Sequence, residues 1–240
     1  MAELLRAYGG TEFANVVLGA PVQALGVAWF ADLTGVKPVI VPPWPDDWAV
    51  SAGLPLVRGG VVEVLAPDPN HRGFVRMKPR FEALTRPELV FWHVETTDLD
   101  RFADIAPAVG VPIERTREID EETARSRRRG RVGIIRPGYR APRPFVVHWT
   151  RYDPGGRLGQ PACTATRFAV TDWEAPPLNR LFDAIGLSLR AEPGPPSITL
   201  DLDTPRGAVR LAGGRMSHDG IGAMLLDGYF RLRHLVRRGR

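Results

Sequence analysis

Three stretches of the chain follow one plan: "FANVVLGAPVQALGVAWFADLTGVKPV" (13–39), "LVFWHVETTDLDRFADIAPAVGVPIER" (89–115) and "ATRFAVTDWEAPPLNRLFDAIGLSLRAEP" (165–193). Each runs from a β-rich segment through a turn and an amphipathic segment to a glycine, then becomes extended again. Gly35, Gly110 and Gly186 mark the same point, about 75 residues apart. A repeat of that length means a chain assembled from copies of one supersecondary unit. A unit with one helix and several strands argues against a doubly wound sheet, where helices and strands alternate, and for an α+β fold.

The second copy defines the unit best. Leu99, Phe102, Ile105 and Val109 recur at helical spacing. Asp98 stands where a carboxylate caps the first turn. Pro107 predicts a distorted last turn, and Gly110 fits the left-handed position that ends a helix. By the same spacing the first copy buries Leu25, Ala28, Trp29 and Leu33, and the third Leu178, Leu181, Phe182 and Ile185. Three extended segments follow each helix, so each unit reads β-α-β-β-β. The expected division is a first module over 11–88, a second over 89–160 that pairs with it, a third, partial module over 161–214, and a basic C-terminal helix or tail over 215–240. In that tail Leu225, Tyr229, Leu232 and Leu235 line one side.

Charge and cysteine content narrow the partners. The formal charge is +5 and the isoelectric point about 10. Lys37 and Lys78 are the only lysines, so nearly all the positive charge is arginine, clustered in "SRRRGR" (126–131) and "FRLRHLVRRGR" (230–240). Neither a DNA-binding motif nor aromatic residues interleaved with "SRRRGR" accompany the clusters. They read as a solvated loop and tail, and a nucleic-acid partner is not expected. The N-terminus "MAELLRAYGG" has no apolar leader core, and no run approaches the roughly 18 apolar residues of a membrane span. Cys163 is the single cysteine. A cytoplasmic protein without a membrane partner is expected.

Two strands then stand out. "GGVVEVLAPDP" (59–69) and "RPFVVHWTRYDP" (143–154) share a shape and an ending, and at the matching place one carries Glu63 and the other His148. An ionisable side chain in an apolar strand needs a polar partner.

Tandem βαβββ units with these segments resemble the vicinal-oxygen-chelate superfamily, which includes glyoxalase I, extradiol dioxygenases and the bleomycin- and fosfomycin-resistance proteins. "FANVVLGAP" with "AWFADLTGVKPV" looks like the family's opening strand and helix, and "VVEVLAPDP" like its fourth strand. "VETTDLDRFADIAPAVGV" looks like the start of the next module. "PFVVHWTRYDPGGRLG" resembles the end of the second module in a bacterial glyoxalase-like subgroup, where an acidic residue often stands at the place of His148. The resemblance implies two modules packed into a cupped, mixed sheet that holds a divalent metal (zinc, iron, manganese or nickel) and no organic cofactor. The metal's ligands would come from first and fourth strands. It also implies a lyase, isomerase or dioxygenase acting on a small oxygen-rich metabolite, with the metal stabilising charge on substrate oxygens.

Carried over residue by residue, the fourth-strand positions fall on Glu63 and His148. The first-strand position of module one falls on Asn15, a departure from the family's histidine. In module two, alignment on "DLD" selects Phe91 and leaves His93 on the same face, whereas alignment on Gly110 turns His93 to the opposite face. Two readings follow. In one, Glu63, His148 and His93 ligate a metal, Glu63 and His148 are also the catalytic pair, and Asn15, Phe91 and Arg143 bind substrate. In the other the metal site is lost and the cup binds and sequesters a small molecule without turnover. The third module would cover a sheet edge or join a homodimer.

Overall fold

Each copy opens on a strand, a helix and a glycine, as the spacing predicts. A computed structural model describes residues 11–42, 48–73, 75, 77–111, 113–122, 127–135, 143–153 and 158–213. The first copy forms β1 (Thr11–Gly19), α1 (Gln23–Thr34), β2 (Val39–Val41), β3 (Ala49–Pro55) and β4 (Val61–Pro67), followed by the short helix α2 (Lys78–Glu82). The second forms β5 (Glu88–Thr96), α3 (Leu99–Ala108), β6 (Ile113–Glu122), β7 (Arg127–Ile135) and β8 (Phe145–Asp153). The third forms β9 (Thr164–Asp172), α4 (Ala175–Ala184), β10 (Ala191–Pro193), β11 (Ser197–Thr204) and β12 (Gly207–Gly213). Gly35, Gly110 and Gly186 adopt φ of 77°, 84° and 75°, the left-handed conformation that glycine enters without steric cost. Asp98 accepts a hydrogen bond from the Arg101 amide at 2.9 Å and so satisfies one open donor of α3. Asp98→Ala is expected to cost about 1 kcal/mol, read as a lower urea midpoint with unchanged slope.

β1 and β5 lie side by side and antiparallel at the centre of the sheet. The first copy continues outward as β4, β3 and β2, and the second as β8, β7 and β6. In both copies the first strand pairs with the fourth in parallel. The result is a cupped mixed sheet in an α+β fold. α1 and α3 pack through Val27, Phe30, Leu99 and Phe102 into the main core on one face, whereas α2 packs through Phe81 into a small cluster on the other.

The third copy repeats the order of elements but not the pairing. Its strands run β10–β9–β11–β12, with β9 parallel to β10 and antiparallel to β11. It packs against the back of the central strands, and its last strand also joins the sheet along the part of β5 that β8 leaves open. The packing is aromatic. Phe168 lies 5.1 Å from both Phe13 and Trp92, and Phe182 lies 5.9 Å from Trp92, measured between ring centroids. β12 meets β5 where Gly213 pairs with Leu89. A Cβ on Gly213 would overlap the Leu89 carbonyl oxygen, so a glycine is required for the backbones to meet.

Two expectations are corrected. In α1 the buried residues are Gly26, Val27, Phe30 and Thr34, while Ala28 is exposed and Leu25 is 58% exposed. A Cβ at Gly26 would stand 2.6 Å from the Val64 side chain, so the helix approaches the sheet through its glycine and turns Leu25 outward. The "SRRRGR" cluster is not a loop: its residues 127–131 belong to β7. Glu118, Asp120, Glu121 and Glu122 of β6 pair in register with Arg131, Arg129, Arg128 and Arg127. Arg129 lies 3.5 Å from Asp120, and Arg131 reaches Asp100 of α3 at 2.7 Å. Opposite charges directly across a ladder each contribute roughly 0.2–1 kcal/mol. Arg129 and Arg131 of the basic run thus meet acidic partners on β6 and α3. The helix and basic tail expected over 215–240 lie outside the described residues. No described helix is long and apolar enough to cross a membrane.

Candidate functional site in the cup

Side chains alternate between the faces of a strand, so a one-residue shift in pairing decides what enters the cup. Two bulges between β1 and β5 make that decision. Phe13 pairs with Val94, and both face the main core. The ladder then skips Ala14, so that Asn15 pairs with His93 and both turn to the concave face. A second shift lets Val17 oppose Phe91 and Leu18 oppose Leu89, with Val90 as the extra residue. On β4, Glu63 pairs with Val17, which places it in the cup beside Asn15. On β8, Phe145 pairs with His93 and joins the same face. The cup surface is thus Asn15, Val17, Glu63, Phe91, His93 and Phe145.

Three of these side chains form a chain of hydrogen bonds. The Asn15 Nδ2 amide donates to Glu63 Oε2 at 2.7 Å. Asn15 Oδ1 and His93 Nδ1 are hydrogen-bonded on the other side. The order of donors follows from chemistry. A carboxylate only accepts, so the NH2 end of Asn15 must face Glu63. Its carbonyl then faces His93, and Nδ1 must carry the proton. The tautomer is assigned by the network, and in the neutral ring Nε2 is left as an acceptor.

The rings of Phe91 and Phe145 enclose His93, each 5.4 Å from it and 5.1 Å from one another, all close to edge-to-face. Removal from water makes the charged imidazole costly, and the His93 pKa falls from 6.5 to about 4. The histidine is neutral when folded but binds a proton near pH 6.5 when unfolded. Its contribution to stability is therefore complete above 6.5 and is lost as pH falls toward 4. At roughly 1.4 kcal/mol per unit, the loss is on the order of 3 kcal/mol. Urea unfolding at pH 4.5 and pH 7 checks this: the drop in wild type should largely vanish in His93→Gln.

The far end of the cup is apolar. Phe81 from α2 stacks edge-on to Trp48 at 5.2 Å and to Phe91 at 6.4 Å, beside Val17. Gly53 of β3 pairs with Glu63, and a Cβ on it would stand 2.8 Å from the Leu158 side chain. Leu158 therefore lies over this part of the sheet. Nothing in the sequence marks Leu158, Trp48 or Phe81 as part of this end of the cup, because separate segments bring them beside Gly53 and Phe91.

His148 does not join this group. In register it pairs with Arg131, whose guanidinium bonds Asp100 of α3, and its neighbour Val146 lies in the core beside Leu99 and Phe102. Both facts place His148 on the helix-bearing face. Glu63 pairs with the residue two beyond Asn15; on the second copy Val147 pairs with Glu95, two beyond His93. The fourth-strand position of the second copy is thus Val147, and matching "VVEV" to "VVHW" is off by one residue.

Arg143 is engaged away from these residues. Its guanidinium is 9% exposed, lies 3.6 Å from the buried Asp172 carboxylate and bonds Glu174. Asp172 in turn accepts from the Glu174 amide at 2.8 Å, at the start of α4. Arg143 is a brace between β8 and the third copy. Thr166, the first-strand position of that copy, donates to the Asp201 carbonyl at 3.1 Å. Cys163 is buried, and burial raises its thiol pKa, as suits a core residue.

The ligand set expected for a metal is not assembled. Among the described residues no three histidine, cysteine, aspartate or glutamate side chains come together. Glu63 and His93 are separated by Asn15, whose amide oxygen is already engaged by the imidazole.

No family model and no curated protein sequence matches the chain. Solved structures do. A hypothetical protein from Staphylococcus aureus matches over 84% of this chain and 85% of its own, at 9% identity and a TM-score of 0.53. A mutant 4-hydroxymandelate synthase from Streptomyces coelicolor matches over 85% of this chain and 63% of its own, at 13% identity and 0.49. Methylmalonyl-CoA epimerase from Mycobacterium tuberculosis matches over 62% and 94%, at 18% identity and 0.42. At 9% identity the first of these shows a likeness of fold alone.

Proposed function

We propose that this chain, which has the vicinal-oxygen-chelate fold, is a small-molecule-binding protein whose cup works through hydrogen bonds instead of a resident metal. The single observation carrying this reading is the His93–Asn15–Glu63 chain, which engages the carboxylate and the imidazole through an amide. A metal-dependent lyase, isomerase or dioxygenase needs a ligand cluster that the described residues do not form. General-base catalysis by His93 is also a poor match. A base serves best with a pKa near the working pH, and that of His93 lies at about 4. The imidazole is suited to accept a hydrogen bond and hold it.

The test is a thermal-shift screen of small uncharged metabolites against the full chain, run with a chelator and then with added zinc or manganese. Binders should raise the midpoint equally in both, and lose their effect in His93→Gln and Glu63→Gln. Stabilisation that disappears with the chelator and returns with metal would overturn the reading in favour of a metal-dependent cup.

A further inference from the structure

Resting on the reading of the cup as a binding site, we infer that its ligand is an uncharged aromatic molecule bearing one hydrogen-bond donor, a phenol or an N–H heterocycle. Its ring would lie against Phe91 and Phe145, and its O–H or N–H would point to Nε2 of His93.

The donor requirement comes from the far end of the hydrogen-bond chain. Glu63 can only accept, which orients Asn15; Asn15 then accepts from Nδ1 of His93, which leaves Nε2 without a proton. A ligand that also only accepts would face lone pair against lone pair. A carboxylate ligand only accepts, and the neutral imidazole offers it neither a proton nor a charge. Among the described residues, Arg143, which the sequence places as a substrate ligand, is committed to Asp172 and Glu174.

The aromatic requirement comes from the walls. Phe91, His93 and Phe145 make a corner of three rings at 5.1 to 5.4 Å. Phe81 and Trp48 continue it into the apolar end. A flat ring entering such a corner finds both stacking and edge contacts, each worth about 0.5–1.5 kcal/mol beyond the area it buries. An aliphatic alcohol would satisfy Nε2 and leave the corner unfilled.

Phenol, anisole and benzoate form a matched set of donor, acceptor and anion on one ring. Each would be titrated into full-length protein with labelled histidine and phenylalanine side chains, followed by NMR at pH 7. Phenol should move the His93 Nε2 signal together with those of Phe91 and Phe145. Anisole and benzoate should bind at least about tenfold more weakly, the factor that one hydrogen bond of roughly 1.4 kcal/mol supplies. His93→Phe should bind phenol and anisole alike, with His93→Gln as the second variant should the first fail to fold. Equal binding of anisole or benzoate to wild type, seen at Phe91 and Phe145, would overturn the ligand class and leave the binding cup standing. Failure of all three to move any of these signals would remove the cup reading and this inference with it.

Discussion

Asp172→Ala should lower the unfolding free energy by about 3–5 kcal/mol, among the largest effects of any single substitution here. Asp172 is 6% exposed and Arg143 is nearly as enclosed, so the variant removes the buried carboxylate facing a guanidinium in a dry site and keeps the exposed Glu174 carboxylate. The same substitution removes the acceptor for the Glu174 amide at the start of α4. For a chain of this length each kilocalorie moves the melting temperature by roughly 2–4 °C, so a fall near 10 °C is expected. Two companions separate the causes. Glu174→Ala, which removes a mostly exposed charge, should cost less than about 1 kcal/mol. The double variant Arg143→Met/Asp172→Leu should recover most of the loss, because a buried pair replaced by apolar groups of similar size is often neutral. A double variant as unstable as Asp172→Ala would contradict the pairing.

Trp92→Ala should cost a similar 3–5 kcal/mol through a large cavity. Trp92 is fully buried, and its indole touches Phe13 on the central sheet and both Phe168 and Phe182 of the third copy. The loss is therefore shared between units, and the third copy should loosen first. Hydrogen exchange of amides in β9 and α4 should rise more than exchange in β3 and β4. Trp92→Phe, which keeps an aromatic ring, should lose less than half as much. Uniform loosening of the whole chain would argue against a separate contact surface between the third copy and the cup.

Much of this architecture is legible in the sequence. Gly35, Gly110 and Gly186 mark helix ends because left-handed backbone is a local property of glycine, and Asp98 caps α3 for equally local reasons. Glu63 is legible as the one ionisable residue in an otherwise apolar strand, and it pairs with Val17 on the cup face. What fails is what depends on pairing between distant segments. Counting along "RPFVVHWT" alone does not reveal that Val147, and not His148, pairs with Glu95. The bulges at Ala14 and Val90, which aim Asn15 and Phe91 into the cup, leave no composition signal. Arg143 reads as a substrate ligand, and the arginines of β7 as a loop, for the same reason: Asp172 on β9 and Asp120 on β6 are adjacent to them only after the sheet forms. The Gly26 approach that turns Leu25 outward is likewise a contact with another strand.

On the proposed reading His93 is a neutral acceptor held by Asn15 and Glu63, and not a metal ligand. Nitrogen-detected NMR of histidine-labelled protein tests it directly, with spectra at pH 5.5 and pH 8 and again after one equivalent of zinc. The expected result is a protonated Nδ1 and an unprotonated Nε2 in His93, unchanged between the two pH values and unmoved by zinc. A His93 ring that titrates between them, or an Nε2 signal that shifts in step with added zinc, would contradict it.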